Sequence, residues 1–421
     1  MLAAAARGAR ATRVLRAIAA CWAAASLLVA AAPVAAFGET RQAPPELDAA
    51  AWILLDARDG DRLAAHAAAA PRPIASTTKL MTAYLALQDL DLGEEVTVPP
   101  YDAAPAESVA GLVAGESLSV RDLLLAMMLP SANDAAETVA LGIAPTEDAF
   151  VARMNDAAAE LGLSRTSYAN PIGLDDPLNY SSAADLAKLT LALREDRRFR
   201  KIVARPKATL RSGSVEREVL TRNTLLLSDP SVDGVKTGHT TGAGYVLVAS
   251  AKREGVPLVS VVLGASSEAG RDEASEQLLD YGYSLYAPRS PFRAGEELAS
   301  ADVSYEEGPL PLLARRPLRV TARADQDLEA DVRAPASVEG PIERGERLGT
   351  ATVSLDGEVV GTVPLLAARA VAEQSVIDRV GGPLAAAAIL IAGVVILIGL
   401  ALVLRRLARS SENRNAARRR G

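Results

Sequence analysis

The chain has 421 residues, 49% hydrophobic and 4% aromatic, enough to bury cores in two or three domains. Its formal net charge of -7 conceals two basic ends, so the body between them is strongly acidic, which argues against nucleic acid as a partner. With one cysteine, Cys21, and two histidines, His66 and His239, disulfides and a His-rich zinc site are excluded, a Ser-His-Asp arrangement is disfavoured, and no cofactor or metal is expected.

Residues 1–36 read as a secretory signal peptide. Arg7, Arg10, Arg13 and Arg16 precede an apolar run from Ala17 to Ala32, and small residues at Val34 and Ala36 fit cleavage after Ala36. The apolar run Ala50 to Leu55 ends in the turn cluster Asp56-Ala57-Arg58-Asp59-Gly60, which predicts a strand hairpin with His66 on its surface.

Pro71 and Pro73 end that segment, and Ser76 opens a run whose apolar positions recur at helical spacing. Ser76 and Lys79 are three apart, so a helix places the amine within reach of the hydroxyl. A serine hydroxyl needs a base to become a nucleophile, and a desolvated lysine with a lowered pKa can be that base. The positive end of the helix favours negative charge developing at Ser76.

Residues 117–129 are expected as an apolar helix with a capping serine, ended by Pro130. The polar loop Ser131-Ala132-Asn133-Asp134 follows at the edge of the core. Further helices are expected at 145–161 and 181–195, separated by the loop-like Asn170-Pro171-Ile172-Gly173-Leu174-Asp175-Asp176-Pro177. After Pro206 the pattern turns to strands: Val235-Lys236-Thr237-Gly238-His239-Thr240, then Gly244 to Ala251, then Leu258 to Leu263, with a helix from Asp272 to Tyr281. An α+β domain over 41–286 is the result.

Pro288 and Pro291 mark a linker, and residues 293–368 read as a small all-β domain with strands at 318–321, 328–332, 348–355 and 358–363. Asp356-Gly357 is a strong hairpin signal. Leu384 to Leu404 is an uncharged stretch long enough to span a bilayer. The arginines that follow assign the 405–421 tail to the cytoplasm, so the body faces outward.

Three short motifs therefore stand in order on predicted elements: Ser76-Thr77-Thr78-Lys79, Ser131-Ala132-Asn133 and Lys236-Thr237-Gly238. Together they match a set known from penicillin-binding proteins and class A β-lactamases. Over roughly residues 45–368 the chain resembles the low-molecular-mass penicillin-binding D-alanyl-D-alanine carboxypeptidases, the S11 serine peptidases. Gly111 to Leu124 and Val232 to Thr240 are similar to that family's surroundings of the second and third motifs, and Gly340-Pro341-Ile342-Glu343-Arg344-Gly345 to its C-terminal β domain.

The resemblance implies a penicilloyl-serine transferase, β-lactamase-like catalytic domain. It implies Ser76 as acyl-enzyme nucleophile, Lys79 as base, Ser131 as proton relay to the leaving amine and Asn133 as positioner of Lys79 and of the substrate amide. Lys236 is then a second cation that keeps Lys79 from charging. Backbone N–H groups of Ser76 and His239 form the oxyanion hole, and Thr237 and Arg271 hold the substrate's terminal carboxylate beside Gly238. Asp175 is structural at the site's edge. The implied substrate is a peptidoglycan stem peptide, the implied inhibitors β-lactams, and the implied membrane link the C-terminal helix.

Two departures stand out: Ala132 replaces the glycine common between Ser and Asn, and the spanning helix replaces an amphipathic anchor. A class A β-lactamase is disfavoured, because no Glu-x-x-x-Asn lies between Asn133 and Lys236. A D,D-endopeptidase shares the same catalytic residues, and three intact motifs speak against an inactive cell-wall binding protein.

Overall fold

The structure, a computed structural model, describes residues 43–306, 308–373, 375–379 and 382–418. The expected signal peptide lies outside the described residues, as does the end of the basic tail.

Five antiparallel strands make the central sheet: β1 (Ala51–Asp56), β2 (Arg62–His66), β3 (Val232–Thr240), β4 (Gly244–Arg253) and β5 (Val256–Ala265), in the order β2-β1-β5-β4-β3. Side chains alternate across a strand, and here both faces are covered. Ile53, Leu55, Val246, Val248, Val261 and Leu263 join the helical core on one side. Trp52, Leu54, Leu247, Ala249 and Val262 join a second core on the other. This double burial explains why β1, β4 and β5 read as continuous apolar runs.

The larger core is built by α1 (Lys79–Asp89), α2 (Val120–Met128), α3 (Asn133–Ile143), α4 (Glu147–Glu160) and α5 (Ala183–Glu195). The smaller is closed by α6 (Glu268–Ser284), which Ser267 caps by accepting from Gly270 N. The helix at 117–129 starts later than its sequence suggests. Ser117–Ser119 is a short strand paired with Glu95–Thr97, and Ser119 is the N-cap, accepting from Asp122 N. Strand pairing outweighs helical propensity there.

The expected linker is also structured. Tyr286–Arg289 forms β6 and pairs with Val320–Arg323; proline is tolerated because this ribbon has only two strands. Two further strands escaped the sequence reading, β7 (Glu297–Val303) and β8 (Leu310–Ala314), the latter disguised by Pro311. Calling the Val320–Arg323 strand β9, they join β10 (Leu328–Arg333), β11 (Arg347–Leu355) and β12 (Glu358–Ala367) in a sheet ordered β10-β11-β12-β8-β7, with Ser337–Val338 on its edge. Its own core holds Leu310, Leu312, Val353, Val363 and Leu365.

A polar cluster fastens β9 to β1. The fully buried Asp56 accepts from Arg58 Nη2 at 2.6 Å and from the Tyr286 hydroxyl at 2.6 Å. Arg323 reaches Asp61 at 2.6 Å and Asp56 at 3.3 Å. At the C-terminus, α7 (Gly382–Arg418) carries the segment Pro383–Leu407, long and apolar enough to cross a membrane. Leu390, Ile391, Ile396 and Leu397 are all exposed on it, which suits lipid and not a protein core.

Candidate active site

The site forms where three loops and the edge strand β3 meet the start of α1. A 3-10 turn, Ala75–Thr78, leads into α1 and carries Ser76. Ala75, just before it, has a left-handed backbone (φ 46°), as does Ser131 (φ 70°), conformations that cost a non-glycine residue about 1 to 3 kcal/mol each. Such strain persists where the surroundings dictate it, and here both residues flank one small space.

Lys79 is fully buried. Its Nζ lies 3.1 Å from Ser76 Oγ, 2.6 Å from Asn133 Oδ1 and 2.5 Å from the Ile172 carbonyl. A neutral amine has two N–H bonds and one lone pair. The two carbonyl-type oxygens are obligate acceptors and take the two N–H bonds. The lone pair is left for the Ser76 hydroxyl, the arrangement a general base requires. Burial pulls the Lys79 pKa down to about 7; Glu107 and Asp134 push it up, and Arg222 pushes it further down.

The second cation, Lys236, is buried on β3 and donates to Ser131 Oγ at 2.9 Å and to the Thr237 carbonyl at 2.8 Å. Burial depresses its pKa well below the ordinary range, followed by repulsion from Lys79, Arg222 and Arg271. Lys79 and Lys236 repel each other, an interaction that disfavours charging both at once. Desolvation is the largest influence lowering the pKa of each lysine.

The loop after α4 closes the site from the side. Thr82 donates to the Pro171 carbonyl at 2.7 Å, and Asn170 Oδ1 accepts from Gly173 N at 2.7 Å and Leu174 N at 3.1 Å, turning the Ile172 carbonyl toward Lys79. Gly173 has φ +91°, and a Cβ there would stand 2.2 Å from the Ala75 carbonyl oxygen. Only glycine fits so close to the nucleophile turn. Gly238 plays the same part on β3: a Cβ would fall 2.9 Å from Ser76 N. That contact sets the backbone of the Lys236-Thr237-Gly238 strand directly against the serine.

The comparisons with known proteins agree with this geometry. The family described as D-alanyl-D-alanine carboxypeptidase (Peptidase_S11) matches residues 38–267, more than half of the chain. The chain belongs to the D-alanyl-D-alanine carboxypeptidase family. The S11 match is followed by a match of residues 286–373 to the penicillin-binding protein 5 C-terminal domain. D-alanyl-D-alanine carboxypeptidase DacF of Bacillus subtilis is 32% identical over 70% of this chain and 78% of its own. DacA of Escherichia coli is 31% identical over 80% of this chain and 87% of its own. Among solved structures, penicillin-binding protein 5 from Haemophilus influenzae has a TM-score of 0.56 at 29% identity, covering 79% of this chain and all of that one.

Within this carboxypeptidase fold, Ser76, Lys79 and Asn133 form one hydrogen-bonded group and Ser131 and Lys236 a second. Thr237 is buried beside them, and His239 is exposed at the strand's end, its ring stacked on Tyr245 with centroids 4.1 Å apart. Arg271 sits apart, buried in the first turn of α6. Its Nε donates to Asp272 at 2.8 Å, and its Nη2 to Glu268 and Thr224 at 3.3 Å each. Two carboxylates thus share its charge, yet it is near enough to Lys236 to repel it. Asp175 ties the loop to the turn after β3, accepting from Thr240 Oγ1 at 2.6 Å and Gly242 N at 2.9 Å.

Four site residues carry no motif. Ile172 contributes a carbonyl, Arg222 a nearby charge, and Glu107 and Tyr101 a carboxylate and phenol behind Asn133. The loop composition around Pro171-Ile172-Gly173 was a signal for the first; none pointed to the others.

Proposed function

We propose that this enzyme removes the terminal D-alanine from peptidoglycan stem pentapeptides through an acyl-enzyme on Ser76. The observation that carries the reading is the buried Lys79, discharged near neutrality, with both N–H bonds spent on Asn133 and Ile172 and its lone pair turned to Ser76. Ser76 Oγ attacks the carbonyl of the penultimate residue while its proton passes to Lys79 Nζ. The oxyanion is held by the backbone N–H groups of Ser76 and His239, worth roughly 3 to 4 kcal/mol per donor.

Collapse of the tetrahedral species breaks the C–N bond: Ser131, held by Lys236, gives its proton to the departing amine and is reprotonated by the proton that Lys79 took from Ser76, which leaves Lys79 neutral. Thr237 and Arg271 anchor the carboxylate of the leaving D-alanine. Water then attacks the ester with Lys79 again as base, restoring Ser76. Because β3 is the edge of its sheet, an extended peptide can lie along its free backbone groups, which suits a stem peptide. β-lactams acylate the same serine. The body faces the extracytoplasmic side, anchored by Pro383–Leu407 with the arginine-rich tail in the cytoplasm.

Incubation of the full chain with a pentapeptide ending in D-Ala-D-Ala tests the reading: D-alanine is released, and Ser76→Ala loses both release and covalent penicillin labelling. Labelling that survives Ser76→Ala sinks the assignment of the nucleophile. Cleavage of cross-linked dimers without release from pentapeptide would replace carboxypeptidase by D,D-endopeptidase.

A further inference from the structure

We propose that Glu107 is a positioning residue of this reaction, locking the side-chain amide of Asn133 so that its oxygen, and not its NH2 group, faces Lys79. The inference rests on Ser76 and Lys79 acting as described above. It concerns a residue outside the three motifs, in the segment Pro105-Ala106-Glu107-Ser108.

Asn133 has one acceptor end and one donor end of nearly equal size, so packing alone does not choose between its two orientations. In one, Oδ1 accepts an N–H of Lys79. In the other, Nδ2 donates into the lysine lone pair and occupies the electrons that must take the proton of Ser76. The second arrangement is catalytically dead. A neutral amine, able to donate and accept, would tolerate either.

What breaks the tie is the partner on the far side. Asn133 Nδ2 donates to Glu107 Oε2 at 2.7 Å while Oδ1 accepts from Lys79 at 2.6 Å. An ionised carboxylate only accepts, so it holds the NH2 group and leaves Oδ1 to the lysine. The carboxylate is itself fixed: the Tyr101 hydroxyl donates to Oε2, and Ala104 N donates to Oε1 at 3.1 Å. The main chain is pinned as well, with Asn133 N donating to the Ser108 carbonyl at 2.7 Å and Asp134 accepting from Ala110 N and Leu112 N at 3.0 Å each. Neither Glu107 nor Tyr101 needs to touch substrate; both act through Asn133.

The charge has a second effect. Lys79 is faced by Glu107 from this segment, Asn133 and Asp134 from α3, Arg222 from the stretch before the 224–228 helix, Lys236 from β3 and the Ile172 carbonyl from the loop after α4. Glu107 and Asp134 favour the ammonium form against the dominant pull of burial. Burial opposes ionisation of Glu107 as well, but hydrogen bonds from Tyr101, Asn133 and Ala104, with the attraction of Lys79, more than offset it, and the carboxyl titrates below its ordinary value. Glu107 is therefore ionised wherever Lys79 can act as a base.

The test is the rate of acylation of the detergent-solubilised full chain by a fluorescent penicillin, followed across neutral pH. Glu107→Gln, isosteric but uncharged and free to present either end to Asn133, lowers the plateau rate by about 10- to 100-fold. It also moves the acid limb of the profile to lower pH, because Lys79 loses a charge that favoured its protonated form. Glu107→Asp keeps the charge and retains the acid limb of the parent. In an Asn133→Ala background, Glu107→Gln has no further effect on the plateau, since its route is gone.

An unchanged plateau and limb in Glu107→Gln would overturn the proposal. So would an acid limb that moves to higher pH, which would mean the side chain merely excludes water, and so would additive losses in the double variant. Absence of labelling in the parent chain counts against the Ser76 chemistry itself and removes this inference with it; a labelled parent with unaffected variants removes the positioning role alone.

Discussion

The two folded regions treat polar side chains in opposite ways. In the catalytic region Lys79, Lys236 and Arg271 are at most 2% exposed, and Asp122, Asp134, Asp185 and Glu116 are buried with them. In the C-terminal sheet domain, among the described residues, the buried polar side chains are Arg323 and Gln326, one bound to β1 and the other to the Asp356 turn. The rest of that core is aliphatic or aromatic. A buried cation costs several kcal/mol unless its partners compensate, so an architecture that keeps two lysines side by side holds them for a task other than stability. In the second domain the buried cation among the described residues is Arg323 at the junction, and the core of its sheet answers to packing.

The largest expected effect comes from removing the buried base. Lys79→Met, similar in length and apolar, should lower penicillin acylation about 10³-fold or more. The melting temperature should stay level or rise, because the desolvated amine is gone and the space remains filled. In the parent, the reactive form of Lys79 is the neutral one, so acylation should decline as pH falls through about 7. A stopped-flow pH profile paired with calorimetry reads both; a variant that loses stability would mean Lys79 is a structural member and would break the contrast between the regions.

Next in size is Gly173→Ala. With φ at +91° and the Ala75 carbonyl 2.2 Å from the new methyl, the loop has to retreat and takes the Ile172 carbonyl away from Lys79. An acylation loss of about 10²-fold is expected from misplacement on that scale. Retained activity would show that Ile172 does not help to orient the amine.

The counterpart in the second domain is Val363→Ala, a fully buried position of its core. It should lower stability by about 2 kcal/mol through lost burial and the cavity left behind. The acylation rate constant measured on the folded fraction should not change. A change there would mean that the sheet domain communicates with the site, and the two regions could no longer be treated as separate in function.

How much of this could be read from the chain follows the same division. The three motif corners were legible because each lies on a local element that the sequence specifies: a helix start, a loop between two apolar helices, and a strand beside the apolar runs of β4 and β5. Apolar runs identified the central sheet because both of its faces are buried. What escaped was whatever depends on a distant partner. Glu107 meets Asn133 only because Asp134 draws the 110–112 backbone onto α3. Arg271 was expected to hold the substrate's carboxylate, and the sequence did not reveal that Glu268 and Asp272 share its charge. Strands β6 and β8 were hidden by prolines: the ribbon of β6 has only two strands, and Pro311 of β8 stands outside the pairing with β12, which begins at Leu312.

The smallest effect is expected at the junction, where the contrast is most easily put to the test. Arg323 is buried against Asp56 and Asp61, and removal of one member of a buried ion pair costs about 3 to 5 kcal/mol when the other is left orphaned. Asp56 is not left so. Arg58 holds it with Nε at 3.1 Å and Nη2 at 2.6 Å, and the Tyr286 hydroxyl donates at 2.6 Å. Asp61, the other partner, has a side chain 57% exposed and returns to water when released. Arg323→Met should therefore cost only about 1 kcal/mol, a surface-like value for a buried residue, and leave acylation by a small penicillin unchanged. Calorimetry reads the difference directly. A loss in the range of 3 to 5 kcal/mol would mean that Asp56 depends on the second domain for its charge balance, and that the catalytic region's buried polar network extends across the junction through Arg323.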